Sequence, residues 1–214
     1  MSAPALLYAS TIAVVVNKPA GLPVYPGRAG GPSLEDFFPL WRRGKAGPWA
    51  VHRLDQDTAG CLLIARRKSF LHEAQVLMAS GAAQKIYWAL VRGVPQAAQG
   101  RIDAPLAKVT SGQSWRMQVC AEGQAASTLW RVLGHAGDQA LVEFTLLSGR
   151  THQIRAHAAH WGYPVLGDPV YGAGGGLMCL LARSLHLPLS TPVKALAPVP
   201  VHMQDQVEKC LAGA

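Results

Sequence analysis

The stretch VHRLDQDTAGCLLIARR, Val51 to Arg67, sets a basic pair and two carboxylates ahead of a glycine and a short apolar run. A run of that length behind turn residues reads as a buried strand, Cys61 to Ala65. The charged residues before it therefore form a loop at the foot of a core strand, and the rest of the chain must be arranged to hold charge there. Asp55 and Asp57 have the D-x-D opening of a calcium loop, but the fifth position is Ala59 and the twelfth is Arg66. That composition excludes an EF-hand. Paired acids for glycoside hydrolysis are also a poor reading: two residues apart in a turn-rich stretch, they need not converge on one cleft. Asp57 or Thr58 is suited to closing a turn before the strand, which leaves Asp55 without a structural task.

The surroundings limit what that loop can serve. The 214 residues are enough for a core without disulfides, and we expect one compact domain over residues 1–214. Half of them are hydrophobic and 15% are charged, so widespread disorder is excluded. Against so few charges, 20 Lys+Arg and 12 Asp+Glu leave a formal +8, which points to a polyanionic partner. Cys61, Cys120, Cys179 and Cys210 form no C-x-x-C pair and read as reduced, buried thiols. The apolar stretch from Ala3 to Val16 has no basic segment ahead of it and is shorter than the ~20 residues a bilayer span needs. A cytoplasmic protein without membrane attachment is expected.

Along the chain, Ile12 to Val16 is a β-branched run that stops at NKPAGL, which places Lys18 at a strand end. Ser33 and Asp36 have the spacing of a capping box ahead of a short helix with Leu34, Phe37, Phe38 and Trp41 on one face. Ser69 to Ser80 reads as a helix stopped by Gly81, and Lys85 to Arg92 as a strand. Arg116 to Val119, Thr128 to Leu133 and Ala140 to Leu147 read as an antiparallel meander. Thr151 to His160 reads as a helix, GDPVYG as a turn and GAGGG as a flexible loop. Leu177 to Ser184 is predicted as a last helix, followed by a Pro-punctuated tail that is an edge strand at most.

Ser148 to Gly172, SGRTHQIRAHAAHWGYPVLGDPVYG, is the second cluster of functional side chains. A metal site on His152, His157 and His160 lacks an acid or cysteine with ligand spacing and is crowded by Arg150 and Arg155, so no metal is expected. A packing or capping role suits His160 beside Trp161.

The ordered set HRLDQDTAG, KIYWALVRG, GQAASTLWRVL and GRTHQIRAHAAHWGYPVLGDPVYG, with the opening VVVNKPAGLPVYP, resembles the RluA-type pseudouridine synthases over about residues 12–190. The resemblance implies an α+β fold: a long mixed, mostly antiparallel sheet flanked by helices. It implies uridine-to-pseudouridine isomerisation in ribosomal or transfer RNA, with no metal or organic cofactor. By that resemblance Asp55 is the nucleophile, Tyr87 packs on the base and is suited to proton removal, and Arg155 pairs with the aspartate. A neighbouring guanidinium would keep such a carboxylate ionised in a dry pocket. His52, Arg53, Arg150 and His152 are expected on the RNA-binding side, and Arg42, Arg43, Lys45, Arg66, Arg67 and Lys68 to extend the basic surface. Flipping the target base costs a few kcal/mol, which stacking on an aromatic side chain offsets. Ala59 stands where serine is commoner in the family, Ser148 where threonine is, and the segment after Gly176 matches the family ending only loosely. No S4-like RNA-binding domain precedes the motifs, so the catalytic domain itself is expected to choose the substrate, as a monomer with no obligate protein partner.

Overall fold

The computed structural model describes residues 2–27, 30–112 and 114–213. In chain order it runs through β1 (Leu6–Ala9), β2 (Ala13–Lys18), a 3-10 turn (Leu34–Phe37), α1 (Phe38–Trp41), β3 (Trp49–Ala50), β4 (Ala59–Ala65) and α2 (Lys68–Ser80). It continues through β5 (Gln84–Arg92), β6 (Gln99–Asp103), β7 (Leu106–Ser111), β8 (Ser114–Val119), β9 (Ser127–Ala136) and β10 (Gln139–Leu146). The last elements are α3 (Gln153–His160), β11 (Leu180–Leu187), β12 (Val193–Leu196) and α4 (Val201–Ala212). These elements form two compact units, one of residues up to Lys85 with Leu181–Pro198, the other of Ile86–Leu180 with the residues from Val199 on.

The first unit is built on β2 and β4. Ala13 to Val16 are fully buried and all seven residues of β4 are buried, as expected of strands covered on both faces. β1 and β4 flank β2 in antiparallel register, β3 adds to β4, and β11 pairs with β4 in parallel before turning into antiparallel β12. That parallel pair makes the sheet mixed. α2 buries Phe70 and Ala74, four residues apart on one face, and ends at Gly81 with φ +78°. At its start the 3-10 turn has the Ser33 N–H donating to the Asp36 carboxylate at 2.9 Å, the half of the capping box that the spacing foretells.

The second unit is an antiparallel sheet in the order β5, β10, β9, β6, with a separate β7–β8 hairpin. One cross-strand row, Tyr87, Phe144, Trp130 and Gly100, faces inward. Gly100 has no side chain there because a Cβ would lie 2.6 Å from the Trp130 ring. The next row faces outward: Glu143 accepts from Trp88 Nε1 at 3.2 Å and pairs with Arg131 at 2.8 Å. α4 packs on β9 and β10 through Met203, Val207 and Cys210, which recur at helical spacing.

The α+β class matches the sequence reading, and three local expectations are corrected. Leu180–Leu187 is a strand and not the predicted helix, because parallel pairing with a strand over a hundred residues earlier overrides the helix preference of its Leu, Ala and Arg residues. The tail carries α4: Pro200 sits extended immediately before it, so the proline marks a helix start. Of the cysteines, all four are free but only Cys61 and Cys210 are buried; Cys120 and Cys179 are partly exposed.

The parallel contact depends on Gly60, at φ +109°, where a Cβ would stand 2.3 Å from the Ala182 carbonyl oxygen. Gly60→Ala is expected to lower stability by about 2 kcal/mol or more, measured by urea unfolding. Unchanged stability would mean that β4 and β11 do not approach this closely.

Candidate active site

The HRLD segment has no regular structure, and its order comes from three anchors. Val51 and Leu54 are buried while Arg53 is exposed and Asp55 half-buried, so alternate side chains point into the core and out of it. The Val51 N–H donates to the Leu63 carbonyl at 2.9 Å, and the Leu63 N–H donates back to His52 Nε2 at 3.2 Å. Beyond Asp55, the Thr58 N–H closes a turn on the Asp55 carbonyl at 3.2 Å. The third anchor is Lys18, fully buried at the end of β2 and in register with Gly60. Its Nζ donates to the carbonyls of Pro19 at 2.9 Å, Leu22 at 2.7 Å and Gln56 at 2.8 Å. The Gln56 carbonyl also accepts from the Gly21 N–H at 3.0 Å, so the residue next to Asp55 is held from two directions.

These anchors set the local electrostatics. Burial lowers the Lys18 pKa from 10.5 to about 7, against the opposing charges of Asp57 and Asp55. Burial, with the charge of Lys85 adding to it, lowers His52 to about 4, so its ring is neutral at pH 7. Since Nε2 accepts, the ring proton sits on Nδ1. Arg66, expected on the basic surface, is instead buried: Nε donates to the Trp41 carbonyl at 2.8 Å and Nη1 to that of Ser10 at 2.5 Å. Arg42, Arg43, Lys45, Arg67 and Lys68 are exposed.

In the second unit, Tyr87 is buried on β5 in the inward row, and Arg150, His152 and Arg155 lie at and beyond the start of α3. Arg150 is exposed and His152 half-buried, the latter in a left-handed conformation at φ +52°. Arg155 is buried and grips Asp168 along one edge, Nε to Oδ2 at 2.7 Å and Nη2 to Oδ1 at 2.9 Å. Oδ1 accepts also from the N–H groups of Val170 at 2.8 Å and Tyr171 at 3.1 Å. Burial alone would raise the Asp168 pKa, but the Arg155 hydrogen bonds and the two amides reverse that and hold it below 3.8. GDPVYG is a turn as read, and its aspartate is also the partner of Arg155.

Gln153 and His157 of α3 belong to one hydrogen-bonded chain. Gln153 Oε1 accepts from Ser148 Oγ at 2.8 Å and the Arg150 N–H at 3.0 Å. Gln153 Nε2 donates to the Ser127 carbonyl at 3.0 Å and Thr128 Oγ1 at 2.9 Å. Thr128 Oγ1 in turn lies 2.9 Å from His157 Nδ1, and His157 Nε2 lies 2.9 Å from the Ala104 carbonyl. The Ala104 carbonyl requires a proton on Nε2, and in the neutral ring Nδ1 then accepts from the Thr128 hydroxyl. Burial lowers the His157 pKa in agreement. His157 is thus a structural link, and among the described residues no group of three His, Cys, Asp or Glu side chains is placed to hold a metal ion. Sequence reasoning missed Lys18, Gln153 and Asp168 as site-shaping residues; a lysine between an apolar run and a turn was the one local signal.

The RNA pseudouridylate synthase family model matches residues 12–160. An RNA pseudouridine synthase of Zymomonas mobilis is 40% identical over 94% of this chain and 95% of its own length. The ribosomal large subunit pseudouridine synthase D of the same organism is 35% identical over 80% of this chain and 57% of its own. Synthase C from Salmonella typhi is 32% identical over 96% and 68%. Among solved structures, human RNA pseudouridylate synthase domain containing 1 aligns with a TM-score of 0.80 at 28% identity, covering 95% of this chain and 87% of that one. The fold and the motif loops are those of an RNA-modifying isomerase that converts uridine to pseudouridine. The chain belongs to the RNA pseudouridylate synthase family, in its RluA-type branch.

Two substitutions test the anchors. Lys18→Met leaves the Pro19 and Leu22 carbonyls without their Nζ donor and the Gln56 carbonyl with the Gly21 N–H alone, and is expected to cost about 3 kcal/mol in urea unfolding. Because Lys18 falls from 10.5 in the unfolded chain to about 7 in the native one, folding releases its proton between those values. The wild type should gain stability relative to Lys18→Met as pH rises through that window. Asp168→Asn leaves a buried guanidinium half-compensated and is expected to cost about 3 kcal/mol near neutral pH. The wild-type advantage is complete above 3.8 and should vanish as pH falls through the lower native pKa of Asp168.

Proposed function

We propose that the chain isomerises specific uridines in structured RNA, ribosomal or transfer, with Asp55 as nucleophile. The observation that carries this reading is the HRLD loop itself, in which Asp55 stands half-buried between two residues whose backbone or side chain is fixed. Leu54 is locked in the core and the Gln56 carbonyl is tied to Lys18. A carboxylate on a held loop can attack without reorganisation, which is where most of an enzyme's positioning advantage lies. In the reaction the glycosidic bond from N1 to the ribose breaks, a carbon bond forms from C5 of the base to the same ribose carbon, the C5 proton leaves to a base, and N1 takes up a proton, so the product is an isomer of the substrate. Nothing is oxidised or reduced, so the step needs no redox cofactor, and side chains alone can carry the nucleophile and the proton.

Tyr87 takes the role of packing on the uracil, and Arg155 that of pairing with the nucleophile. In support of the second role, Arg155 is held rigidly by Asp168. Exposed Arg53 and Arg150, with His152, serve the RNA backbone, and neutral His52 serves by holding the loop that presents Arg53. The names of the two ribosomal large subunit synthases favour ribosomal RNA as the first pool to try. We read the enzyme as a cytoplasmic monomer without an obligate partner; among the described residues no helix is long and apolar enough to cross a membrane.

The test is tritium release from RNA labelled at C5 of uridine, with transfer and ribosomal RNA offered separately. Wild type is expected to release tritium from one pool, and Asp55→Asn to release none while RNA affinity and its salt dependence stay near wild type. Release by Asp55→Asn at the wild-type rate would remove Asp55 from the chemistry. Binding without release by the wild type would make the chain an RNA-binding member of the family.

A further inference from the structure

Tyr171, in the turn after α3, joins four residues through three of its groups. Its N–H donates to Asp168 Oδ1 at 3.1 Å. Its ring lies 5.2 Å from the Arg155 guanidinium carbon, within cation–π range. Its hydroxyl accepts the Met117 N–H of β8 at 2.8 Å. The same hydroxyl lies 3.0 Å from His152 Nδ1, with the two rings edge-on at 5.7 Å. Since the hydroxyl already accepts from Met117, its own proton is directed at Nδ1 whenever that nitrogen is unprotonated.

The far ends of these contacts differ in kind. Asp168 and Arg155 are buried and paired with each other. The β7–β8 hairpin is largely exposed: Lys108 and Arg116 are open to solvent and Trp115 is 41% exposed. Trp115 stacks on His152 at 4.9 Å and 23°, and Lys108 Nζ lies 4.8 Å from the Trp115 ring. An exposed indole among cations is the chemistry that holds unpaired bases and phosphates. Met117 N–H points off the hairpin, away from its partner strand, and Tyr171 is what satisfies it.

We propose that Tyr171 is a positioning residue that couples engagement of RNA by the β7–β8 hairpin to the orientation of the Arg155 guanidinium. This rests on the reading that Arg155 serves the reaction. The hydroxyl is the hairpin end of the coupling and the ring is the Arg155 end. A tyrosine that only filled space would, when altered, change the fraction of folded protein and leave the balance between RNA affinity and chemistry where it was.

Two variants separate the ends. Tyr171→Phe keeps the ring beneath Arg155 and cuts both hydroxyl contacts; Tyr171→Leu removes the ring as well. Single-turnover tritium release is followed across RNA concentration for each, with thermal melting to confirm folding. Both variants are expected to bind RNA about fivefold more weakly, and at saturating RNA the leucine variant is expected to react about tenfold more slowly than the phenylalanine variant. Equal saturating rates, or wild-type RNA affinity in Tyr171→Phe, would overturn the coupling. An affinity cycle of Trp115→Ala with Tyr171→Phe holds even if the leucine variant does not fold. Effects that fail to add support the coupling, and additive effects overturn it. A wild type that binds RNA without releasing tritium would overturn the isomerase reading, while the affinity cycle would still decide the hairpin end.

Discussion

A fully buried lysine ammonium in the first unit holds the HRLD loop in place. Removing such a charge from solvent costs several kcal/mol unless its protons find partners. At Lys18 the carbonyls of Pro19, Leu22 and Gln56 take all three, and Asp57 and Asp55 oppose the loss of charge. An apolar residue at the end of β2 would fill the same volume but take a donor from each of those three oxygens, leaving only the Gly21 N–H on Gln56. Hydrogen bonds to a charged donor are also the stronger kind, about twice a neutral one. One side chain therefore gives an irregular segment, which has no ladder or helix of its own, the fixed position that regular structure gives elsewhere.

The second unit uses the same device with the signs exchanged. Asp168 is the buried ion that collects donors, and Arg155, Val170 and Tyr171 supply them. In both units a buried charge gathers backbone groups from a turn and fixes the segment beside it. This changes how the basic balance of the chain is to be read. Lys18, Arg66 and Arg155 belong to the interior, so the surface is less positive than the count of Lys+Arg suggests. The exposed cations include Arg53 and Arg150 in the motifs and Lys108 and Arg116 in the hairpin.

What the sequence disclosed and what it hid follow the range of the forces involved. β2, β4 and α2 were legible because apolar runs and Gly81 are local signals, and Asp55 stood out because no local turn needed it. β11 was misread because its strand character comes from β4, far away in the chain. α4 was missed because Pro198 and Pro200 look like terminators until a helix is seen to begin after them. The ties of Lys18 and Asp168 were hidden for another reason. Residue type told that a lysine and an aspartate were present, but only the folded backbone shows which carbonyls and amides converge on them.

His152 shows how far such convergence reaches. A non-glycine residue at φ +52° carries a backbone cost of order 1 kcal/mol, which has to be met by its side chain. Trp115 covers one face of the ring and the Tyr171 hydroxyl meets Nδ1, so the turn that starts α3 is held by side chains and not by a cap. Next along, Gln153 accepts from Arg150 N–H and donates toward Thr128, and that chain ends on His157. The strained residue and the ordered chain together fix where α3 begins, and with it the register in which Arg155 meets Asp168. A glycine at 152 would relieve the strain but lose the ring contacts that set this start, so the strain is retained for the position it enforces on the guanidinium one turn further on.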